Sequence, residues 1–242
     1  ELARVHTVLA DCGALLLLGE AGLGKSRLLA EAVAGRADVL AVKAHPSDAG
    51  VPYATLARLL RRQLAQVGCP ALSPASTHLL ARLLPELRVE ASVTMPPVEI
   101  SPGLLQEAVA AQLQAGGQRV IVVDDLHFAD AASLEMLAAL VIAEPPSGIA
   151  WMFAQRPGEG GDATRDFGVT LSDRARLLPI RLAPLDPDAV ARLLHSLGLP
   201  RLDVSAWAPR LQRHTGGNPL FILETLKQLQ PDDLAAGRMP RS

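Results

Sequence analysis

The chain has 242 residues, 49% hydrophobic and 20% charged, a balance that predicts a globular protein with a large core. Its 23 basic and 25 acidic residues give a net charge of −2, so no nucleic-acid or anionic membrane surface is indicated. Every apolar run is too short to span a bilayer, and Cys12 and Cys69 have neither metal-ligand spacing nor a disulfide framework. We therefore expect a cytoplasmic protein that touches neither membrane nor nucleic acid directly.

Strand patterns alternate with helical patterns over the first three quarters of the chain. Strands are predicted at residues 14–18, 39–44, 120–123, 149–154 and 177–182, and helices at residues 2–11, 24–35, 53–67, 76–84, 102–115 and 132–143. Residues 85–97, with three prolines, and the glycine-rich residues 158–162 are predicted to be loops, the second a mobile surface loop. After Pro184 the patterns are helical only, at residues 186–197, 205–215 and 218–230.

Residues 19–26 read GEAGLGKS and match the phosphate-binding P-loop pattern G-x-x-x-x-G-K-S/T between a strand and a helix. Gly22 and Gly24 let the loop wrap around phosphate, so that backbone N–H groups and the helix N-terminus face the oxygens. Lys25, one of only three lysines, is predicted to bridge the β- and γ-phosphates, and Ser26 to bind Mg²⁺. The sequence thus predicts an α/β fold: a parallel-sheet, three-layer P-loop NTPase core over residues 1–183 and a small helical lid over residues 184–242.

Two acids follow the β-branched run at residues 120–123, where a second Mg²⁺ ligand is needed. Asp124 is predicted to hold Mg²⁺, and Asp125 to orient or deprotonate the attacking water. The alternative is that both acids only cap the helix that follows.

Three strings resemble a known family. VVDDLHFADAASLEML, residues 122–137, is similar to the extended Walker B motif of STAND ATPases (signal-transduction ATPases with numerous domains), in the branch of large LuxR-type transcriptional activators. AQRPGE, residues 154–159, resembles the sensor-1 strand, and GGNPLFILETL, residues 216–226, resembles the G-N-P-L-F motif of the helical domain. Phe128 stands where tryptophan is commoner, and the Gly-Arg pair expected before the first helix is missing.

The resemblance implies roles for two further residues. Arg156 would sense the γ-phosphate; otherwise it is a surface arginine before a turn. Pro219 would lie near the base or sugar, while Asn218 and Pro219 would equally serve as N-cap and first residue of a helix. The nucleotide-binding set is then Gly19, Glu20, Ala21, Gly22, Leu23, Gly24, Lys25, Ser26, Arg27 and Pro219, with ATP or ADP and Mg²⁺ as ligands.

Other polar residues have plainer interpretations. His127 is expected to make a supporting hydrogen bond or to start a helix, Asp130 to be an N-cap, and His214 to end a helix. Arg58, Arg61 and Arg62 form a basic helix face, either solvated or bound to a partner.

The function implied is a switch in a transcriptional regulator that binds ATP, hydrolyses it slowly and self-associates in the ATP state. The chain is expected to be a piece of a longer protein whose winged-helix, sensor and DNA-binding domains lie outside it. The alternative is a working AAA+ ATPase of the initiator or loader type, with Arg174 or Arg176 acting on a neighbouring subunit. A P-loop small-molecule kinase is disfavoured by the strand-end acids and the helical G-N-P segment.

Overall fold

The computed structural model describes residues 1–11, 13–87, 101–143, 148–174, 177–199 and 202–229. In chain order its elements are α1 (Leu2–Ala10), β1 (Ala14–Leu18), α2 (Lys25–Ala32), β2 (Val39–Lys43), α3 (Ala54–Val67), α4 (Pro74–Leu80), α5 (Pro102–Ala115), β3 (Val120–Asp124), a 3₁₀ turn (Leu126–Phe128), α6 (Ala131–Ile142), β4 (Ala150–Gln155), α7 (Gly161–Arg174), β5 (Leu177–Arg181), α8 (Pro187–Leu197), α9 (Val204–Thr215) and α10 (Pro219–Gln228).

The strands form one sheet in the order β2-β3-β4-β1-β5. β2 and β3, β3 and β4, and β1 and β4 pair in parallel, with Lys43 opposite Asp124 and Leu18 opposite Gln155. Strands β3 and β4 are buried almost throughout, as in a parallel sheet covered on both faces. The carboxyl ends of these four strands therefore share one edge, where ligands of open α/β sheets bind.

The core is aliphatic, with its few aromatic residues concentrated near β4. Trp151 stacks on Phe153 with ring centroids 6.1 Å apart, and Phe153 meets the edge of Phe167 at 5.0 Å. All three rings are at most 3% exposed. Burial of each contributes roughly 2 kcal/mol, and the edge-to-face pair adds up to about 1 kcal/mol more.

The structure confirms the predicted α/β fold, and each predicted strand appears within one residue of its predicted ends. The prediction of a loop at residues 158–162 is wrong from Gly161, where α7 begins. This helix carries two glycines and buries only a narrow face, so its sequence shows little helical signal; the buried residues are Thr164, Phe167 and Leu171. Of the loop predicted at residues 85–97, residues 88–97 lie outside the described residues, as do Cys12 and Arg176.

The buried carboxylate of Asp130 fixes the start of α3 beside the start of α6. Asp130 caps α6 through Ser133 N–H at 2.9 Å, as predicted, and also accepts from the backbone N–H groups of Tyr53 (2.7 Å) and Thr55 (3.1 Å). The backbone of Tyr53 adopts the left-handed conformation, with φ of 63°. One side chain thus holds two helix starts, and it lies five residues beyond Asp125.

The molecule divides into two compact units. The sheet unit comprises Glu1–Leu18 and Leu28–Ile180, and the loop–helix unit comprises Gly19–Arg27 and Arg181–Ser242, of which residues 19–27, 181–199 and 202–229 are described. The loop–helix unit has its own core of α8, α9 and α10 side chains, formed by Val190, Leu194, Trp207, Ala208, Leu211 and Ile222. None of the described helices is both long and apolar enough to cross a bilayer.

Candidate functional site

The loop at residues 19–26 leaves β1 and ends in the first turn of α2. Gly22 and Gly24 have φ angles of 81° and 91°, the left-handed region that only glycine enters at little cost. Space is also limiting, since a Cβ on Gly22 would lie 2.5 Å from Asn218 Oδ1. The two glycines on which the phosphate-loop prediction depends are thus required by this backbone.

Lys25 is almost completely buried, at 6% exposure. Its Nζ donates to the carbonyl oxygens of Gly19 at 2.7 Å and Glu20 at 3.0 Å. A buried ammonium requires such partners, and these two hold the charge at the loop. Ser26 and Arg27, by contrast, are exposed on the first turn of α2.

The G-N-P segment contacts the same loop within the loop–helix unit. Asn218 Nδ2 donates to the Ala21 carbonyl at 2.8 Å, and Leu220 N–H donates to the Gly22 carbonyl at 3.3 Å. Asn218 also caps α10 through Leu220 N–H at 3.0 Å, with Pro219 at the first helical position, as predicted. The segment therefore binds the backbone of the loop directly, which the sequence did not suggest.

At the end of β3 the backbone is strained. Asp125 has φ of 50° and ψ of 41°, a left-handed conformation that costs a non-glycine residue about 1 kcal/mol or more. Its N–H donates to Asp124 Oδ1 at 2.8 Å, and its Oδ2 lies 2.8 Å from Lys43 Nζ at the end of β2. Since Asp130 is the cap of α6 and Asp125 makes no side-chain cap bond, helix capping does not account for the pair.

Lys43 and Asp125 form an ion pair at the ends of β2 and β3. The hydrogen bond with Asp125 raises the pKa of Lys43 above its usual range. The Asp125 side chain is 14% exposed while that of Lys43 is 61% exposed, so the lysine reaches the carboxylate from the solvent side.

Arg156, predicted to be the γ-phosphate sensor, follows β4 and is bound by an acid. Its Nη1 lies 3.2 Å from Glu159 Oε1 and 3.4 Å from Oε2. Glu159 Oε2 also lies 3.3 Å from Nε2 of His127, whose side chain is fully buried. His127 belongs to the 3₁₀ turn after Asp125, so Glu159 connects the strand-end turn to the arginine.

Comparison with known proteins identifies the family. A family model described as an AAA ATPase domain matches residues 1–152, which include the phosphate loop and both strand-end acids. The chain belongs to the AAA ATPase domain family. No curated protein matches the sequence.

Solved structures agree on the fold of this AAA ATPase domain. A STAND protein with a tetratricopeptide repeat sensor from Pyrococcus horikoshii has a TM-score of 0.59, and Cdc6p from Pyrobaculum aerophilum has 0.56, each at 14% identity. The chain is covered to 95% and 98%, but it spans only 30% and 62% of those two proteins. A Walker-type ATPase from Pyrococcus abyssi, also at 14% identity, gives a TM-score of 0.52 over 94% of this chain and 68% of that one.

The residues present suit a magnesium nucleotide. The loop offers Cβ-free positions and a lysine for phosphate, and Ser26 and Asp124 are oxygen donors of the kind that Mg²⁺ takes. In the described part of the chain no three His, Cys, Asp or Glu side chains gather as a metal cluster.

Sequence reasoning missed Lys43, Glu159 and the loop contact of Asn218. Lys43 offered a signal, because it is one of three lysines and it ends a strand next to β3. Glu159 lies in the string quoted for Arg156 but was given no role. On the basic face of α3, Arg61 and Arg62 are exposed, while Arg58 pairs with Asp48 and Arg61 with Glu86, each at 2.6 Å.

Proposed function

We propose that this AAA ATPase domain is the nucleotide-operated switch of a STAND-class signal-transducing regulator of the large LuxR type. The observation that carries the proposal is the hydrogen bonding of Asn218 and Leu220 to the carbonyls of Ala21 and Gly22. A helix that binds the phosphate loop directly must respond when phosphates reshape that loop. In the proposed role the protein works in the cytoplasm, and other domains of the regulator contact DNA.

The residues at the sheet edge and in the phosphate loop have separate roles in binding phosphate, Mg²⁺ and the attacking water. Lys25 holds the β- and γ-phosphates, while the backbone of residues 19–27 wraps them. Ser26 and Asp124 hold Mg²⁺, which neutralises phosphate charge. Asp125 orients the attacking water and accepts its proton.

Two further residues report the state of the nucleotide. Arg156 registers the third phosphate through its guanidinium, which forms strong charge-assisted hydrogen bonds to phosphate oxygens. Pro219 lies by the base or sugar, so that the helices after residue 183 act as a lid.

Slow hydrolysis is supported by the ion pairs around the two side chains expected to act on the γ-phosphate. Asp125 is held by Lys43, and Arg156 is held by Glu159. A carboxylate bound to an ammonium and an arginine bound to an acid must each exchange partners before they act on water or phosphate. We therefore propose that the triphosphate state is long-lived and favours an open, self-associating form, while ADP favours a closed monomer.

The test is turnover together with mass in solution. We expect hydrolysis on the order of one ATP per minute or slower, in the range of switch NTPases that lack a partner's arginine. Sedimentation should show a larger species with ATP than with ADP, and no such difference for Lys25→Ala. Many turnovers per second by the isolated chain, or identical mass in both nucleotides, would contradict the proposal.

A working AAA+ ATPase of the initiator or loader type is the second candidate, and Arg174 favours it. This arginine is exposed in the last turn of α7, and among the described residues its side chain forms no ion pair. It is therefore free to reach a nucleotide on a neighbouring subunit. A stable hexamer with DNA-stimulated turnover that Arg174→Ala abolishes would establish this role in place of the switch.

A further inference from the structure

A cavity in the sheet unit lies beside the basic face of α3, and none of the residues assigned to nucleotide or Mg²⁺ lines it. It has a volume of about 350 Å³ and is lined by three arginines: Arg58 and Arg61 from α3, and Arg82 from the turn after α4. The remaining wall is mostly apolar and includes Tyr53, Val51 and Leu83. Three guanidinium groups around one small cavity are unusual enough to require an explanation.

The described acids neutralise these arginines only in part. Arg58 Nη2 binds Asp48 Oδ1 at 2.6 Å, but its Nε is buried and has no hydrogen-bond partner. Arg61 binds Glu86 at 2.6 Å, a pair in which both side chains are about half exposed. Arg82 is exposed, and within the described residues its side chain forms neither a hydrogen bond nor an ion pair. Among the described side chains at the cavity, three arginines thus face two acids, Asp48 and Glu86.

Charge and shape together indicate the ligand. The planar guanidinium fork matches the geometry of a carboxylate or phosphate group. An anion in the cavity would add charge-assisted hydrogen bonds to the exposed guanidinium groups of Arg61 and Arg82. The exposed Arg61–Glu86 pair is worth at most about 1 kcal/mol, so an entering anion displaces it easily.

We propose that this pocket binds a small organic anion, with a carboxylate or phosphate group on the arginines and a compact apolar body against Tyr53, Val51 and Leu83. The volume is at the lower end of the range for small-molecule sites, which sets the size of that body. The binding claim does not depend on the proposed switch function.

The pocket wall is joined to the loop that carries the strand-end acids. The backbone of Tyr53 adopts the left-handed conformation, and its N–H donates to Asp130 Oδ1 at 2.7 Å. Asp130 follows the 3₁₀ turn that begins after Asp125. A ligand against Tyr53 therefore acts on the same carboxylate that fixes the start of α6.

The experiment is calorimetric titration of Lys25→Ala with phenyl phosphate, so that the phosphate loop does not compete. We expect saturable binding with a dissociation constant on the order of 1 mM or tighter. Arg82→Gln and Arg61→Gln should each weaken it at least about tenfold. The matched control is Arg62→Gln, an exposed arginine of the same helix that does not line the cavity, and it should leave the affinity unchanged.

Two further probes separate the parts of the ligand. Benzoate should bind if a carboxylate suffices, and inorganic phosphate should bind more weakly than phenyl phosphate if the apolar wall contributes. Absence of binding by both aromatic probes at about 10 mM would overturn the proposal. Equal loss in the Arg62 and Arg82 variants, with unfolding temperatures preserved, would also overturn it by showing diffuse surface attraction.

Discussion

At the scale of single residues, the pairing of Lys43 with Asp125 makes a kinetic prediction. Replacing Lys43 with methionine removes the ammonium that binds the carboxylate at 2.8 Å, so that Asp125 is available to the attacking water. We expect ATP turnover to rise about three- to tenfold. Stability should change by less than about 1 kcal/mol, because the lysine is mostly exposed.

Steady-state phosphate release measures the effect, and Lys43→Arg is the control because it keeps the charge and the low rate. Turnover that falls or stays constant in Lys43→Met would show that Asp125 is not the group acting on water.

Asp48 gives a pH dependence. Burial opposes its charged form, but hydrogen bonds from Arg58, His45 N–H and Thr55 hold the pKa of Asp48 below its usual range. A lowered folded-state pKa contributes stability that is present above the unfolded pKa and is lost as pH falls through the folded one. Asp48→Asn should therefore cost about 2 kcal/mol at pH 7, and the difference from the unmutated chain should shrink below about pH 4.

Urea unfolding at pH 7 and pH 3 tests this dependence. Asp38→Asn is the matched control, because the pKa of Asp38 is likewise lowered by Arg36 but the pair is one-third exposed. A difference for Asp48→Asn that is the same at both pH values would mean that packing, not charge, provides the stability.

The residues that belong to a spaced pattern were predictable, and those that act through a partner were not. Lys25 and Asp124 stand at fixed positions after apolar strands, so chemistry and spacing identified them. Glu159 acts by pairing with His127, and the amide of Asn218 acts by binding the carbonyl of Ala21, which is distant in sequence. Their partners become visible only when the chain is folded.

At the scale of elements, Asp130 holds the starts of α3 and α6 together. It accepts from three backbone N–H groups and is 3% exposed, so Asp130→Ala leaves two buried donors and one partly buried donor without their acceptor. We expect a loss of about 3 kcal/mol or more by urea unfolding. Asp186→Ala, which removes the exposed single cap of α8, should cost about 1 kcal/mol. Equal losses would show that the bonds to α3 contribute nothing.

The strands of this fold were more predictable than one of its helices. Strands β1, β3 and β4 are continuous apolar runs because both faces of a parallel sheet are buried. Helix α7 contains Gly161 and Gly168 and depends on burial of Phe167 and Leu171 against the core, which is a tertiary effect. Local propensity does not contain that information.

At the scale of the whole molecule, the phosphate loop and the helices after residue 183 form one hydrogen-bonded unit although nearly 160 residues separate them in sequence. The sequence predicted a helical lid after the sheet but not that Asn218 would bind Ala21. The reason is that main-chain acceptors carry no side-chain signature. This direct link gives the proposed switch a physical mechanism. A nucleotide shifts the equilibrium between an open and a closed form only if it binds the two forms with different affinities.

Calorimetric titration with ATP, ADP and GTP in the presence of Mg²⁺ tests most directly whether the chain is a nucleotide-operated switch. We predict that the chain binds ATP and ADP with different affinities, and that it binds GTP more weakly than either. Lys25→Ala should lose at least about 100-fold in ATP affinity, since it removes a charge-assisted bond to phosphate. Lys227→Ala, which alters an exposed lysine paired with Glu224, should leave ATP binding intact. Equal affinities for all three nucleotides, or unchanged ATP binding by Lys25→Ala, would contradict the account.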